Sequence, residues 1–211
     1  MPDARAGLTL DDVTIARGAE RLLSLSAHVP PGTVLTLMGP SGSGKSTLLS
    51  HVMGDLPPAF RATGRVALDG RDLGNLPPEA RGVGILYQDP LLFPHLSVAS
   101  NLAFGLPGLP RAERRRRIAG ALERIGMDGF GPRDPATLSG GQAARVALMR
   151  VLLSGPCALL LDEPFSKLDA DRRDQMRGLV FDRARAVGIP VLMVTHDADD
   201  AAAAGGPVIR L

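Results

Sequence analysis

A glycine-rich loop, Gly-Pro-Ser-Gly-Ser-Gly-Lys-Ser, occupies residues 39–46. It follows a short apolar run, Thr33–Met38, and from Gly44 onward apolar residues recur at the spacing of one helix face. In a strand–loop–helix of this kind, glycines let successive backbone N–H groups turn toward a phosphate, and the helix N-terminus adds partial positive charge. We predict a phosphate-binding loop, with an ordinary glycine-rich turn as the alternative. The predicted loop residues are Gly39, Pro40, Ser41, Gly42, Ser43, Gly44, Lys45, Ser46 and Thr47.

Two of these side chains have particular chemistry. The Lys45 ammonium would neutralise terminal phosphate oxygens, and the Ser46 hydroxyl would be a ligand of Mg²⁺.

Strands and helices alternate along the chain. An antiparallel pair is predicted at Leu8–Ile15 and Ser24–Val29, because apolar residues alternate there. Further strands are predicted at Gly64–Asp69, Val83–Tyr87, Cys157–Leu161, Val191–Thr195 and Val208–Leu211, and helices at Val98–Leu106, Pro110–Ile125, Gly140–Leu153, Asp169–Val187 and Ala198–Ala204. On the helix Asp169–Val187, one side carries Met176, Leu179, Val180, Ala184 and Val187.

This alternation implies an α/β fold with a mainly parallel core sheet. We expect a single domain, residues 1–211, with an antiparallel β segment at its N-terminus. Residues 1–90 and 151–211 would form the core, and residues 91–150 an inserted helical layer.

Positive charge is concentrated in the predicted helical layer. The formal net charge of the 211 residues is +2, yet residues 91–150 hold nine arginines against four acidic residues. The densest run, Arg111–Arg117, contains no aromatic residue that could stack on a base. We therefore expect no nucleic-acid partner and interpret the run as a solvated helix face, with an anionic partner surface as the alternative.

The one cysteine, Cys157, lies in an apolar run and has no intrachain partner. We predict a buried thiol in a reducing compartment, which favours the cytoplasm. No stretch of the sequence has the roughly 18 uncharged apolar residues that a membrane-spanning helix needs.

Two adjacent carboxylates, Asp162 and Glu163, end the apolar strand Cys157–Leu161. Neighbouring side chains on an extended chain point to opposite sides, so the two acids could take separate roles. Asp162 would hold Mg²⁺, and Glu163 would orient and deprotonate an attacking water. The alternative is a pair of exposed acids at a strand end.

A third motif, Leu138-Ser139-Gly140-Gly141-Gln142, resembles the signature motif of the ATP-binding cassette (ABC) ATPases. The resemblance implies a P-loop NTPase fold and hydrolysis of ATP with Mg²⁺. It further implies a homodimer in which two ATP molecules lie between the phosphate loop of one subunit and the signature motif of the other. From the residues alone, Ser139 and two glycines could also be no more than the cap of a helix.

The same resemblance assigns further residues. Gln88 matches the glutamine that touches Mg²⁺ or the attacking water, and His196 the histidine that contacts the γ-phosphate. A loop that crosses the dimer corresponds to Ser166, Leu168 and Asp169. Many relatives have an aromatic residue that stacks on adenine near position 17, where this chain has Arg17, so base selectivity is expected to be weak.

The segment Leu86–Val98 resembles the corresponding part of ATPases from bacterial thiamine, ferric-iron, polyamine and sulfate importers. The resemblance implies that Leu91–Ser97 faces an integral membrane permease, with ordinary packing of the helical layer as the alternative. It also implies a periplasmic or surface solute-binding protein and a cytoplasmic position at the inner face of the cell membrane. Three alternatives remain: a lipid-export or lipoprotein-release ATPase, a soluble relative acting on ribosomes or DNA, and a non-enzymatic switch in which Glu163 is idle. The transported substrate is not encoded in this chain.

Overall fold

The computed structural model describes residues 6–211 and divides into two compact units. The first consists of the described residues up to Ile85 together with Cys157–Glu163 and Arg177–Leu211. The second consists of Leu86–Pro156 and Pro164–Met176.

The first unit contains both sheets of the fold. The strands are β1 (Leu8–Arg17), β2 (Glu20–Val29), β3 (Val34–Met38), β4 (Arg61–Leu68), β5 (Arg71–Asp72), β6 (Val83–Leu86), β7 (Ala158–Asp162), β8 (Val191–Val194) and β9 (Val208–Arg210). An antiparallel sheet has the order β2-β1-β4-β5, and a five-stranded sheet has the order β6-β7-β8-β3-β9. In the second sheet β7, β8, β3 and β9 pair in parallel. These sheets confirm the predicted α/β fold with its antiparallel N-terminal segment.

The helices are α1 (Lys45–Met53), α2 (Val98–Ala103), α3 (Arg111–Arg124), α4 (Gly140–Leu153), α5 (Ala170–Val187) and α6 (Ala198–Ala204), with short 3₁₀ turns at Pro78–Ala80 and Pro135–Thr137. Helices α2, α3 and α4 lie in the second unit, whereas α1 and α6 lie in the first. Helix α5 begins in the second unit and ends in the first.

Strand β1 contains a bulge that keeps its apolar residues on one face. The register shifts between Leu10 and Val13, where Asp12 takes a φ of +47°. Leu8, Leu10 and Val13 are all buried as a result, although their spacing is not a strict alternation. Gly64 makes the close approach possible, because a Cβ there would lie 2.4 Å from the Asp12 carbonyl oxygen.

Strands β3, β7 and β8 are buried almost throughout, as expected for strands at the centre of a parallel sheet. Strand β7 delivers Asp162 at its end, and the chain continues from β3 into the phosphate loop. The centre of this sheet therefore leads directly into the predicted site.

One prediction about burial is wrong. Cys157 is exposed, because β7 begins only at Ala158 and Cys157 lies in the loop before it, although its N–H donates to the Gly82 carbonyl oxygen at 2.8 Å. Val187 is also exposed, because it is the last residue of α5 and the chain turns away at Gly188, whose φ is +75°. The two-residue strand β5 was not predicted, since it is too short to show a hydrophobic pattern.

Candidate active site

The phosphate loop takes a backbone shape that requires glycine. Gly42 and Gly44 both have a φ of +84°, in the left-handed region that glycine adopts at no steric cost. Gly44 is also the N-cap of α1, and among the described residues no side chain caps this helix end. The backbone N–H groups at the start of α1 are therefore suited to bind an anion.

The Lys45 side chain is folded along the loop. It is only 7% exposed, and its ammonium donates to the carbonyl oxygens of Gly39 at 2.9 Å and Pro40 at 2.6 Å. The Ser43 hydroxyl lies 3.3 Å from the same nitrogen. The loop thus carries a buried positive charge that stays fully hydrogen-bonded.

Ser46, the second residue of α1, reaches the end of β7. Its hydroxyl donates to the Asp162 Oδ1 at 3.0 Å. Burial raises the pKa of Asp162, and the Ser46 hydrogen bond and the nearby Lys45 charge oppose that rise. The structure therefore joins the predicted phosphate loop and the carboxylate pair through one hydrogen bond.

A hydroxyl and a carboxylate are hard oxygen ligands of the kind that Mg²⁺ prefers. Among residues 6–211, no group of three or more His, Cys, Asp or Glu side chains is arranged to hold a metal ion. The two oxygens fit a cation that takes its remaining ligands from water and phosphate, which is the usual way Mg²⁺ is bound at nucleotide sites.

Glu163 faces a different partner from its neighbour Asp162. The Glu163 Oε1 lies 2.9 Å from the Nδ1 of His196, and the Glu163 N–H donates to the Val194 carbonyl oxygen. Glu163 has a φ of +46°, a left-handed conformation that costs a non-glycine residue about 1 kcal/mol or more. Strain of this kind concentrates at functional sites, and here the strained residue is the one whose carboxylate contacts His196.

The predicted signature residues cap α4 in the second unit. The Ser139 Oγ accepts from the Gln142 N–H at 3.3 Å, and the Gln142 Oε1 accepts from the Ser139 N–H at 2.9 Å, which together form a capping box. Ser139 and Gly140 are exposed, whereas Leu138 and Gly141 are half-buried. The serine hydroxyl and the start of α4 therefore lie at a surface.

The predicted dimer-crossing loop lies in the same unit. Leu168 is buried, and the Asp169 carboxylate accepts from the Arg172 N–H at 3.0 Å. Ser166, three residues before Asp169, is exposed. Lys167, in the same loop, pairs with Asp89 at 2.6 Å, and Gln88 is the exposed residue before Asp89.

Arg17 ends β1, and its guanidinium carbon lies 6.0 Å from the centroid of the Phe60 ring. This is the outer limit of a cation–π contact. Arg17, at the position where the resemblance implies an aromatic residue that stacks on adenine, therefore lies near the Phe60 ring.

Sequence reasoning missed Arg81, which is buried at the C-terminal end of α1. It donates to the His51 and Val52 carbonyl oxygens at the end of α1, both at 2.9 Å, and to the Leu76 carbonyl oxygen at 2.9 Å. A cation at this end complements the helix dipole and fixes the helix that carries Lys45. Arg81 lies in an irregular connection, where no periodic pattern marks it.

Comparisons with known proteins show the family of this chain. A family model described as "ABC transporter" matches residues 22–166, which is more than half of the chain. The chain is 48% identical over 195 residues to an uncharacterised ABC transporter ATP-binding protein, YnjD, of Escherichia coli, covering 92% of this chain and 90% of that protein. It is 46% identical over 196 residues to the thiamine import ATP-binding protein ThiQ of Cereibacter sphaeroides, covering 92% of this chain and 83% of that protein.

A solved structure supports the same likeness. The dimeric post-hydrolysis state of the ATP-binding cassette MJ0796, bound to ADP and Pi, superposes with a TM-score of 0.83 at 30% identity. The match covers 97% of this chain and 94% of that chain.

Proposed function

This chain belongs to the ABC transporter family, and from that membership we propose that it is the ATP-hydrolysing subunit of a membrane importer for a small solute. The observation that carries the proposal is the pair of contacts at the end of β7. Asp162 is bonded to Ser46 of the phosphate loop, while Glu163 is bonded to His196. A phosphate site and a candidate base with its own partner thus meet at one edge of the central sheet.

The reaction that these residues support is hydrolysis of ATP to ADP and phosphate. The backbone N–H groups of residues 39–46, apart from Pro40, which has none, and the Lys45 ammonium would hold the β- and γ-phosphates. Glu163 would orient the attacking water and take its proton, and His196 would contact the γ-phosphate. Ser46 and Asp162 would hold Mg²⁺, which would neutralise charge on the phosphates. The family resemblance further assigns Gln88 to Mg²⁺ or to the attacking water.

We propose that two copies of the chain close on two ATP molecules. Each chain has one phosphate loop and one signature motif, Leu138–Gln142, and a head-to-tail pair would complete both sites. The exposed Ser139 hydroxyl and the first N–H groups of α4 are suited to the γ-phosphate held by the other copy. The residues Ser166, Leu168 and Asp169 would cross between the two copies. A structural relative crystallised as a dimer supports this arrangement.

An exposed apolar patch supports a permease partner. Phe104 is 63% exposed and Leu91 is 59% exposed, and the Phe93 and Phe104 rings lie 4.5 Å apart between centroids. The Arg150 guanidinium donates to the Leu91 carbonyl oxygen at 3.0 Å and so holds this segment in place. Ordinary packing of the helical layer would bury these side chains, so we favour an interface with a membrane permease.

Import is favoured over lipid export or lipoprotein release, because the relatives of named function that match the chain include thiamine, ferric-iron and sulfate import subunits. No helix among residues 6–211 is long and apolar enough to cross a membrane. We propose that the chain works at the inner, cytoplasmic face of the membrane on its permease. A periplasmic or surface solute-binding protein would deliver the solute.

The Glu163→Gln substitution tests the proposal, because it keeps the size of the side chain and removes the base. We expect ATP turnover to fall by about 100-fold or more, and an ATP-bound dimer to accumulate in light scattering. The matched control is Glu79→Gln, the same change at an exposed residue of a 3₁₀ turn in the same unit, which should keep wild-type turnover. Wild-type turnover in Glu163→Gln would contradict the assignment of the base.

A further inference from the structure

His196 lies in the short turn between β8, which ends at Val194, and α6, which begins at Ala198. Its side chain is 69% exposed. Packing therefore does not fix the direction of the ring, although the Nδ1 must point at Glu163 to make the observed contact. The conformation of the turn must supply that direction.

Side-chain hydrogen bonds hold this turn on both sides of His196. The Asp197 N–H donates to the Thr195 Oγ1 at 3.0 Å. The Asp197 Oδ1 accepts from the Asp199 N–H at 2.8 Å and from the Asp200 N–H at 3.2 Å, which caps α6. The two residues that flank His196 are thus bonded to each other and to the helix that follows.

Asp200 connects the turn to α5. Its carboxylate is buried, with only 2% of the residue exposed, and its Oδ2 accepts from the Thr195 hydroxyl at 3.3 Å. Its Oδ1 accepts from the Arg177 Nε at 2.7 Å and from a second nitrogen of the same guanidinium. The Thr195 hydroxyl therefore donates to Asp200 and accepts from Asp197 at the same time.

Arg177 offsets part of the negative charge of this cluster. Its guanidinium also lies 3.8 Å from the Asp197 carboxylate, and only 11% of its side chain is exposed. A buried carboxylate that loses its cation must find water or move. Because Asp200 also bonds Thr195, such a movement would pass to the backbone that carries His196.

We propose that Arg177 and Asp200 are positioning residues for ATP hydrolysis, which hold the turn at residues 195–197 so that His196 points at Glu163. This inference rests on the proposed function, since it gives His196 a part in the reaction. Arg177 donates to Asp200, and Asp200 accepts from Thr195 next to His196, so both would act through the histidine.

The test follows the ring directly. The chain has four histidines, and the His196 ring signals in NMR spectra of the histidine-labelled chain are assigned by their loss in His196→Gln. Arg177→Met should shift the His196 signals toward the positions that they take in Glu163→Gln, and leave those of His28, His51 and His95 in place. The matched control is Arg185→Met on the same helix, which breaks the exposed pair with Asp182 and should leave His196 unchanged.

Turnover gives the second measurement. We expect Arg177→Met to lower kcat by about tenfold while KM for ATP stays within about twofold, and Arg177→Lys to retain more turnover because it keeps the charge. Combined with His196→Ala, Arg177→Met should cause no further loss. Should Arg177→Met fail to fold, Thr195→Val removes the same connection with little change in shape and should shift the His196 signals alike.

Unchanged His196 signals in folded Arg177→Met or Thr195→Val would overturn the inference. Shifts in the ring signals of all four histidines would also overturn it. So would a loss of turnover from Arg177→Met that adds in full to the loss from His196→Ala. Both results are expected of an ion pair that only stabilises the fold. If the wild-type chain hydrolyses no ATP, the proposed function fails, whereas the ring signals still decide whether Arg177 and Asp200 direct His196.

Discussion

Ser139 caps helix α4 in the structure and is proposed to contact the γ-phosphate of ATP. Two substitutions separate these roles. Its hydroxyl accepts the Gln142 N–H in the capping box of α4. Replacing an N-cap serine with alanine costs about 1 kcal/mol, whereas glycine costs only a few tenths. For a chain of this size, 1 kcal/mol corresponds to a fall of about 2–4 °C in Tm, and a few tenths to less than about 1 °C.

We therefore expect Ser139→Ala to melt about 2–4 °C below the wild type and Ser139→Gly within about 1 °C of it, as measured by thermal unfolding. Both variants lack the hydroxyl, so both should lose ATP turnover and ATP-dependent dimer formation to a similar extent. Thr137→Ala is the control, because its hydroxyl bonds the Asp134 carbonyl oxygen outside the capping box. Wild-type turnover in Ser139→Gly would refute the proposed contact with ATP, and a wild-type Tm in Ser139→Ala would refute the contribution of the capping box.

Two further predictions concern pH and base selectivity. Burial, with a smaller effect of the Arg81 charge, lowers the pKa of His51, whose Nε2 has no hydrogen-bond partner among the described residues. As the pH falls, His51 is protonated in the unfolded chain before it is protonated in the folded chain, so the free energy of unfolding should decrease below about pH 6.5. In urea unfolding, His51→Gln should therefore lose less stability than the wild type between pH 7.5 and 5.5. An equal loss in the two chains would contradict this. The family resemblance places an aromatic residue near the position of Arg17, so we expect GTP to be hydrolysed at a rate within about tenfold of ATP, about 1.4 kcal/mol of preference. A thousandfold difference in steady-state rates would refute the weak selectivity.

The strands and helices that follow a regular pattern could be predicted from the sequence, and those shaped by a single irregularity could not. The buried run of β7 is long enough to be recognised, and so is the glycine-rich loop before α1. The bulge at Asp12 depends on Gly64, which lies on another strand. The exposure of Cys157 depends on the residue at which β7 begins, and apolar composition does not specify such an end.

The same distinction holds for the site. Lys45, Ser46, Asp162 and Glu163 lie in two short motifs that can be recognised in the sequence, whereas the Ser46–Asp162 contact depends on the packing of α1 against β7. Arg177 lies on α5, more than twenty residues before Asp200, and no spacing rule connects a helix arginine to a later aspartate. Such pairs become visible only when the fold brings the two side chains together.

The left-handed backbone at Glu163 restricts how this position can diverge. Glycine, asparagine and aspartate tolerate a φ near +46°, whereas valine, isoleucine and threonine do so at a higher steric cost because their Cβ is branched. A descendant of this chain that has lost hydrolysis but still assembles is therefore expected to carry one of the tolerant residues, or glutamine, at position 163. The residue at position 163 would then distinguish a descendant that is still selected for assembly from one that is accumulating substitutions without selection.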